Sequence, residues 1–211
     1  MTAETLVVPR ATLDIEEPWT MPAVCTPVRL RCSTDSSAPR LSTNVAIWFD
    51  AEHLSILFSA ADDYVQSTHL THDAPLYEED VVEAFLAPEM PSRYFELEAS
   101  PRGTLFDARI ESPEGVRSGM VVDRDWTCDG LVAAVRRVTE SSGAATVDTL
   151  LRVPFTSLGR PAPLPGELWK ANFFRIDRHP TRGDEYSAWQ PTLKTPADFH
   201  VVAAFGTLRF A

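Results

Sequence analysis

Apolar and polar residues alternate with a period of two along much of this chain. In Tyr94–Ala99, Phe95, Leu97 and Ala99 fall on one side, and Glu96 and Glu98 on the other. In Thr104–Ile110, Phe106, Ala108 and Ile110 oppose Asp107 and Arg109. An extended strand sends successive side chains to opposite faces, so this spacing predicts antiparallel strands with one buried face. Ser100–Gly103 fits a hairpin loop between the two runs. That pairing sets Glu96 or Glu98 across from Arg109 on the polar face.

Asn44–Phe49 and Leu54–Ser59 flank the turn Asp50–His53 and give a second hairpin signal. Further strand runs are Asp80–Leu86, Leu131–Val138, Thr146–Val153, Leu168–Asp177 and Phe205–Phe210. Turn-forming clusters separate them at Ser112–Gly115, Ser141–Gly143 and Pro163–Gly166. No long segment keeps a 3.6-residue period, and the best helical candidate is one turn near Pro154–Leu158. Many short strands with regular turns predict an all-β fold: an antiparallel β-sandwich of two sheets, of jelly-roll or immunoglobulin-like architecture. Residues 1–40 are rich in Pro, Ser and Thr and read as an arm with edge strands, Pro27–Arg31 among them, so that residues 1–211 form one domain.

Composition narrows the partners. With 30 acidic and 19 basic residues the formal net charge is -11. Such a field repels a phosphate backbone and an anionic lipid surface, which argues against nucleic acid and membrane partners. No apolar run approaches the roughly 20 residues of a bilayer span. The start, MTAETLVVPR, lacks the basic and apolar regions of a secretory signal, so the chain as it stands is expected in the cytoplasm; a signal removed beforehand implies secretion. Cys25, Cys32 and Cys128 make no disulfide framework and no zinc spacing. Free thiols are expected, with a Cys25–Cys32 bridge as the alternative. Nothing in the sequence sets the oligomeric state.

Several constellations could carry chemistry. G-x-S-x-G, G-x-G-x-x-G and a phosphate-binding loop are all absent from the sequence. Glu78-Glu79-Asp80 leads into a strand carrying Glu83; paired carboxylates are what a glycosidase needs, and a solvated loop is the plainer reading. His69 and His72, with Asp73, offer metal-ligand types beside a plain polar loop. A sugar needs a flat aromatic for its C–H face and polar groups for its hydroxyl rim. Tyr77 and Trp189 are candidate platforms, and Glu83, Asn172, Arg175 and Gln190 candidate rim residues. Trp19, Trp48, Trp126 and Trp169 read as structural.

The ordered set of motifs resembles the family 9 carbohydrate-binding modules. Tyr77–Leu86 is similar to the family's aromatic–acidic–D-S-V-E strand, and Tyr94–Leu97 to the strand after it. Trp169–Arg178 resembles the late G-x-N-hydrophobic-x-R-x-D strand, and Ser187–Pro191 with Phe205–Leu208 the closing S-x-W-x-P…F-G-x-L signature. The resemblance implies a sandwich whose cleft clamps the end of a glycan, such as xylan, between two aromatics. Tyr77 and Trp189 take those places, and Glu83 that of the sugar-binding Glu. Glu96 and Glu98 fall where the family has Arg and Asn, which reverses the charge of the cleft unless Arg109 or Arg175 reaches in. The family also carries structural calcium, for which no ligands match here. The expected function is non-catalytic sugar binding. One alternative is a glycoside-active enzyme using Glu83 with a second carboxylate. Another is a haem electron-transfer module of the same superfamily, with Met90, Met120, His69 and Lys170 as axial candidates.

Overall fold

The computed structural model describes residues 4–139 and 145–211. Its strands are β1 (Thr5–Val8), β2 (Val28–Arg29), β3 (Arg31–Cys32), β4 (Thr43–Phe49), β5 (His53–Asp62), β6 (Val81–Ala87), β7 (Arg93–Ala99), β8 (Leu105–Glu111), β9 (Val121–Asp123), β10 (Val132–Thr139), β11 (Ala145–Pro154), β12 (Leu168–Asp177), β13 (Glu185–Ala188) and β14 (Gly206–Phe210). They form a nine-stranded sheet in the order β1-β14-β12-β6-β7-β8-β9, with β13 on β12 and β3 on β13, and a five-stranded sheet in the order β10-β11-β5-β4-β2. Pairing is antiparallel except between β1 and β14, whose parallel register makes the larger sheet mixed. Each strand run predicted from the sequence is present. The Ser141–Gly143 turn lies outside the described residues.

The turns follow their residues. Asp50 Oδ1 accepts from the amides of Glu52 and His53, both at 2.8 Å, and closes the β4–β5 hairpin. Gly103, with φ of +79°, turns the chain between β7 and β8, where a side chain would be strained. Pro154–Leu158 forms successive turns, and the 3-10 turns lie at Leu76–Glu78 and Val202–Ala204. No helix among the described residues is long and apolar enough to cross a membrane.

The main core lies between the sheets. Ile47, Ile56 and Phe58 of the smaller sheet meet Ala84, Leu97, Phe173 and Leu208 of the larger. The outer face of the five-stranded sheet is apolar too, and Trp48 and Leu57 there are covered by arm residues Leu13, Trp19 and Met21. The outer face of the nine-stranded sheet carries a third apolar layer of Phe85, Tyr94, Phe106 and Phe174, packed against Phe199 and Phe205. The face predicted to be polar and solvated is therefore buried, which sets up the candidate site.

Candidate functional site

Register brings three carboxyl groups together. Glu83 of β6 pairs with Glu98 of β7 on one side and with Phe174 of β12 on the other, and Glu96 pairs with Phe85 and Ala108. Period-two geometry then places Glu83, Glu96 and Glu98 on the outer face. One carboxyl oxygen from each lies within 4.8 Å of the others. All three residues are buried, Glu98 at 0% exposure.

Glu83 and Glu96 form the floor of a cleft of about 280 Å³. Phe106, Met120 and Val122 line its β8–β9 side, and Ile176 and Tyr186 its β12–β13 side. Phe199 and His200, from the segment before β14, close over it. Tyr77, Arg117, Arg124 and Arg178 complete the wall. Tyr77 is 38% exposed, so its ring is available to a ligand. Arg178 fixes this rim: its guanidinium donates to the Tyr77 carbonyl and to the Tyr186 hydroxyl, both at 2.6 Å, and pairs with Asp184. Phe199 is held flat on Phe174, with ring centroids 4.2 Å apart at 14°.

The electrostatics follow from burial. Desolvation pushes the Glu83 and Glu98 carboxyls well above the usual range, and the neighbouring carboxylates push the same way, against Arg117 and Arg178 at Glu83 and Arg124 at Glu98. Burial raises Glu96 as well, against the nearby Arg117. His200 is pushed down to about 4, first by burial and then by Arg117, so its ring is neutral near pH 7. Its Nδ1 lies 2.7 Å from the Tyr94 hydroxyl, and its Nε2 is 3.8 Å from Glu96. Burial also raises the Tyr94 phenol, which keeps its proton. The cleft thus offers hydrogen-bond donors and acceptors beneath an aromatic rim. Glu83 and Glu96 rise from neighbouring strands on one floor, whereas a glycosidase sets its two carboxyls on either side of the scissile bond.

The sequence-derived candidates divide. Tyr77, Glu83 and Glu96 line the cleft, and Glu98 lies against its floor. Trp189 does not face Tyr77: it is 3% exposed and sits in the main core, tilted on Phe173 at 5.7 Å. Ala188 pairs with Phe174 on the cleft face, so the next residue turns inward. Arg175 is buried on the inner side, with Nη2 at 3.0 Å from Asp62 and 2.9 Å from Asp177. Arg109 pairs with Phe95 rather than with a glutamate and reaches Asp123, so it does not compensate the cleft. Asn172 is fully buried and clamps the chain at Gln190: its Oδ1 accepts from the Gln190 amide and its Nδ2 donates to the Gln190 carbonyl. The Gln190 side chain turns to Glu4 and away from the cleft. Sequence reasoning missed Arg117, Arg124, Phe199 and His200 as site residues; they come mostly from irregular connections, where no periodicity marks a face. Arg178 and Tyr186 stood inside quoted motifs without a role.

The other candidate groups have separate positions. Asp62, Asp80 and Asp177 converge within 4.8 Å, but every carboxyl oxygen there already accepts from the protein. Asp62 takes Tyr64 N and Arg175, Asp80 takes Gln66 N and Arg178 N, and Asp177 takes Arg175 and Arg40. With two guanidinium groups bound, this cluster does not fit the structural calcium that the family resemblance implies. His72 and Asp73 meet Asp107 rather than His69. Of the axial-ligand candidates, Met120 lines the cleft, Lys170 donates to Thr207, Met90 is exposed and His69 lies in the connection between β5 and β6. Cys25, Cys32 and Cys128 are free thiols.

Comparison with known proteins bears on this geometry. The model of carbohydrate-binding family 9 matches residues 28–210. No curated protein matches. Among solved structures, a candidate carbohydrate-binding protein from Bacteroides uniformis ATCC 8492 superposes with a TM-score of 0.75 at 15% identity, covering 100% of both chains. A family 9 module from Caldicellulosiruptor kristjanssonii in complex with cellotriose gives 0.65 at 11% identity, covering 98% of this chain and 93% of the other. Its complex with glucose gives 0.60 at 12%, covering 99% and 96%. At these identities the likeness establishes the fold.

Proposed function

The chain belongs to carbohydrate-binding family 9, and from that premise we propose that it binds a sugar, without cleaving it, in the cleft floored by Glu83 and Glu96. The observation that carries this reading is the convergence of an exposed Tyr77 ring with buried carboxyl groups in one cavity. The ring supplies a stacking surface for C–H groups, and the carboxyls, with Arg117 and His200, supply partners for hydroxyls. A volume of about 280 Å³ is at the low end for ligand pockets, roughly 300–1,000 Å³, which suits one terminal sugar unit. The module from Caldicellulosiruptor kristjanssonii is complexed with cellotriose and with glucose, so these are the ligands to test.

Calorimetric titration with glucose and cellotriose tests the proposal. Saturable binding that weakens in Tyr77→Ala is expected. No heat from either sugar, or from a wider glycan panel, at millimolar concentration would sink it.

A further inference from the structure

Three buried carboxyl groups meet at the cleft floor with no cation against them. Among the described residues no Arg or Lys nitrogen comes within 4.0 Å of Glu83, Glu96 or Glu98; the one basic atom in that range is His200 Nε2, 3.8 Å from Glu96. Arg117 turns to Asp198, Arg178 to Asp184, and Arg124 lies over the Phe106 ring. Glu98 gives a second, independent sign. It is 0% exposed, and no donor from outside the cluster reaches either of its carboxyl oxygens, a proton shared with Glu96 being their one hydrogen-bond contact. Unpartnered buried acceptors are costly, and native structures avoid them unless a water or ion completes the site. The aspartate cluster shows the contrast, since each of its oxygens is filled by a protein donor.

We infer that Glu83, Glu96 and Glu98 form a binding site for a hard divalent cation such as calcium, open on one side to the sugar cleft. Two oxygens on opposite sides of one ion lie apart by at most twice the metal–oxygen distance, about 4.8 Å for Ca²⁺ and about 4.1 Å for Mg²⁺. The three oxygens lie within 4.8 Å of one another, inside the limit for Ca²⁺. Ca²⁺ takes about six to eight oxygens, so three carboxylates leave positions open. Because Glu83 and Glu96 line the cavity, those positions face the ligand, and adjacent sugar hydroxyls can fill them. Only this last step rests on the sugar-binding reading; the ion site stands on the carboxyl geometry.

The test is a calcium titration of the EDTA-treated full chain by calorimetry at a pH of about 8, which reduces proton competition for the raised carboxyls. Wild type should bind one ion saturably. Glu83→Gln/Glu98→Gln should lose about tenfold or more in affinity, while Asp73→Asn, at the separate His72 cluster, should not change. Melting checks the fold: the Gln variant removes like-charge repulsion, so its transition in EDTA should be no lower than that of wild type, and only wild type should rise with calcium. If the double variant does not fold, Glu98→Gln alone is read in the same way. No saturable binding by wild type, or equal affinity in a folded Gln variant, overturns the site. A cellotriose titration with calcium and with EDTA reads the hydroxyl contact. About tenfold weaker binding in EDTA supports it and equal affinity overturns it; no cellotriose binding in either buffer removes the sugar reading, while the calcium titration still decides the ion site.

Discussion

Trp189 fills the space that a side chain on residue 206 would occupy: a Cβ built on Gly206 would stand 2.4 Å from Trp189 Cη2. The indole is therefore a core element seated on the backbone of β14, and its neighbours Phe173 and Leu208 belong to the inter-sheet core. Gly206→Ala should push the ring and cost about 1–3 kcal/mol, the usual price of overpacking. Denaturant unfolding measures it, and wild-type stability in this variant would place the ring elsewhere. Trp189→Phe should lower stability yet leave the sugar affinity of the folded protein unchanged.

Tyr77 is predicted to behave in the opposite way. Its ring is partly exposed at the rim of the cleft, so Tyr77→Ala should leave the melting temperature within a degree or two while weakening sugar binding about three- to tenfold, the range of an aromatic contact of roughly 0.5–1.5 kcal/mol. Tyr77→Trp, with a larger face, should bind at least as well as wild type. Calorimetry beside a thermal melt separates the two effects. Equal affinity in Tyr77→Ala would remove the platform.

Arg175 holds buried carboxylates. Its guanidinium reaches Asp62, Asp177 and the Ala61 carbonyl, the last at 2.7 Å. Arg175→Met leaves Asp62 without its cation and Asp177 with Arg40 alone, and should cost about 3–5 kcal/mol. Arg175→Lys should recover only part of this, because one ammonium cannot reproduce the planar fork. Unfolding midpoints give the ranking, and a Lys variant as stable as wild type would contradict the need for both Nη1, on the Ala61 carbonyl, and Nη2, between Asp62 and Asp177.

Asp80 makes stability pH-dependent. Burial pushes its carboxyl up to about 7, against the two backbone amides that favour its charged form. The folded state therefore holds the proton more tightly than the unfolded chain. This contribution is fully present below the ordinary value of 3.8 and is lost as pH rises through about 7. Asp80→Asn has no such titration. Its stability deficit against wild type should therefore be larger at pH 5 than at pH 8, by roughly 1 kcal/mol after allowance for solvent screening. Melts of both proteins at the two pH values measure it, and a deficit that grows with pH would reverse the sign.

Local pattern made most of the architecture legible. The alternation in Tyr94–Ala99 and Thr104–Ile110, the Asp50–His53 turn and the β-branched runs specified strands and hairpins, because strand periodicity and turn chemistry are properties of a few adjacent residues. The pattern also put Glu96 and Glu98 on one face, but it set Arg109 on that face with them, and the pairing register turned Arg109 to the other. What it could not tell was that both faces are buried: a strand between two apolar layers has no solvent side, and the covering segments lie far off in sequence, around residues 112–120 and 199–205.

By itself, then, the sequence determined the strands, their order along the chain, the family likeness, and Tyr77, Glu83 and Glu96 as candidates. The tertiary structure decided the site. Pairing register set Glu83 against Glu98, a single-residue step turned Trp189 and Arg175 into the interior, and connections without periodicity delivered Arg117, Phe199 and His200. The physical reason is range: propensity and alternation act over neighbouring residues, whereas a cleft is made by contacts between segments that only the packed sheets bring together.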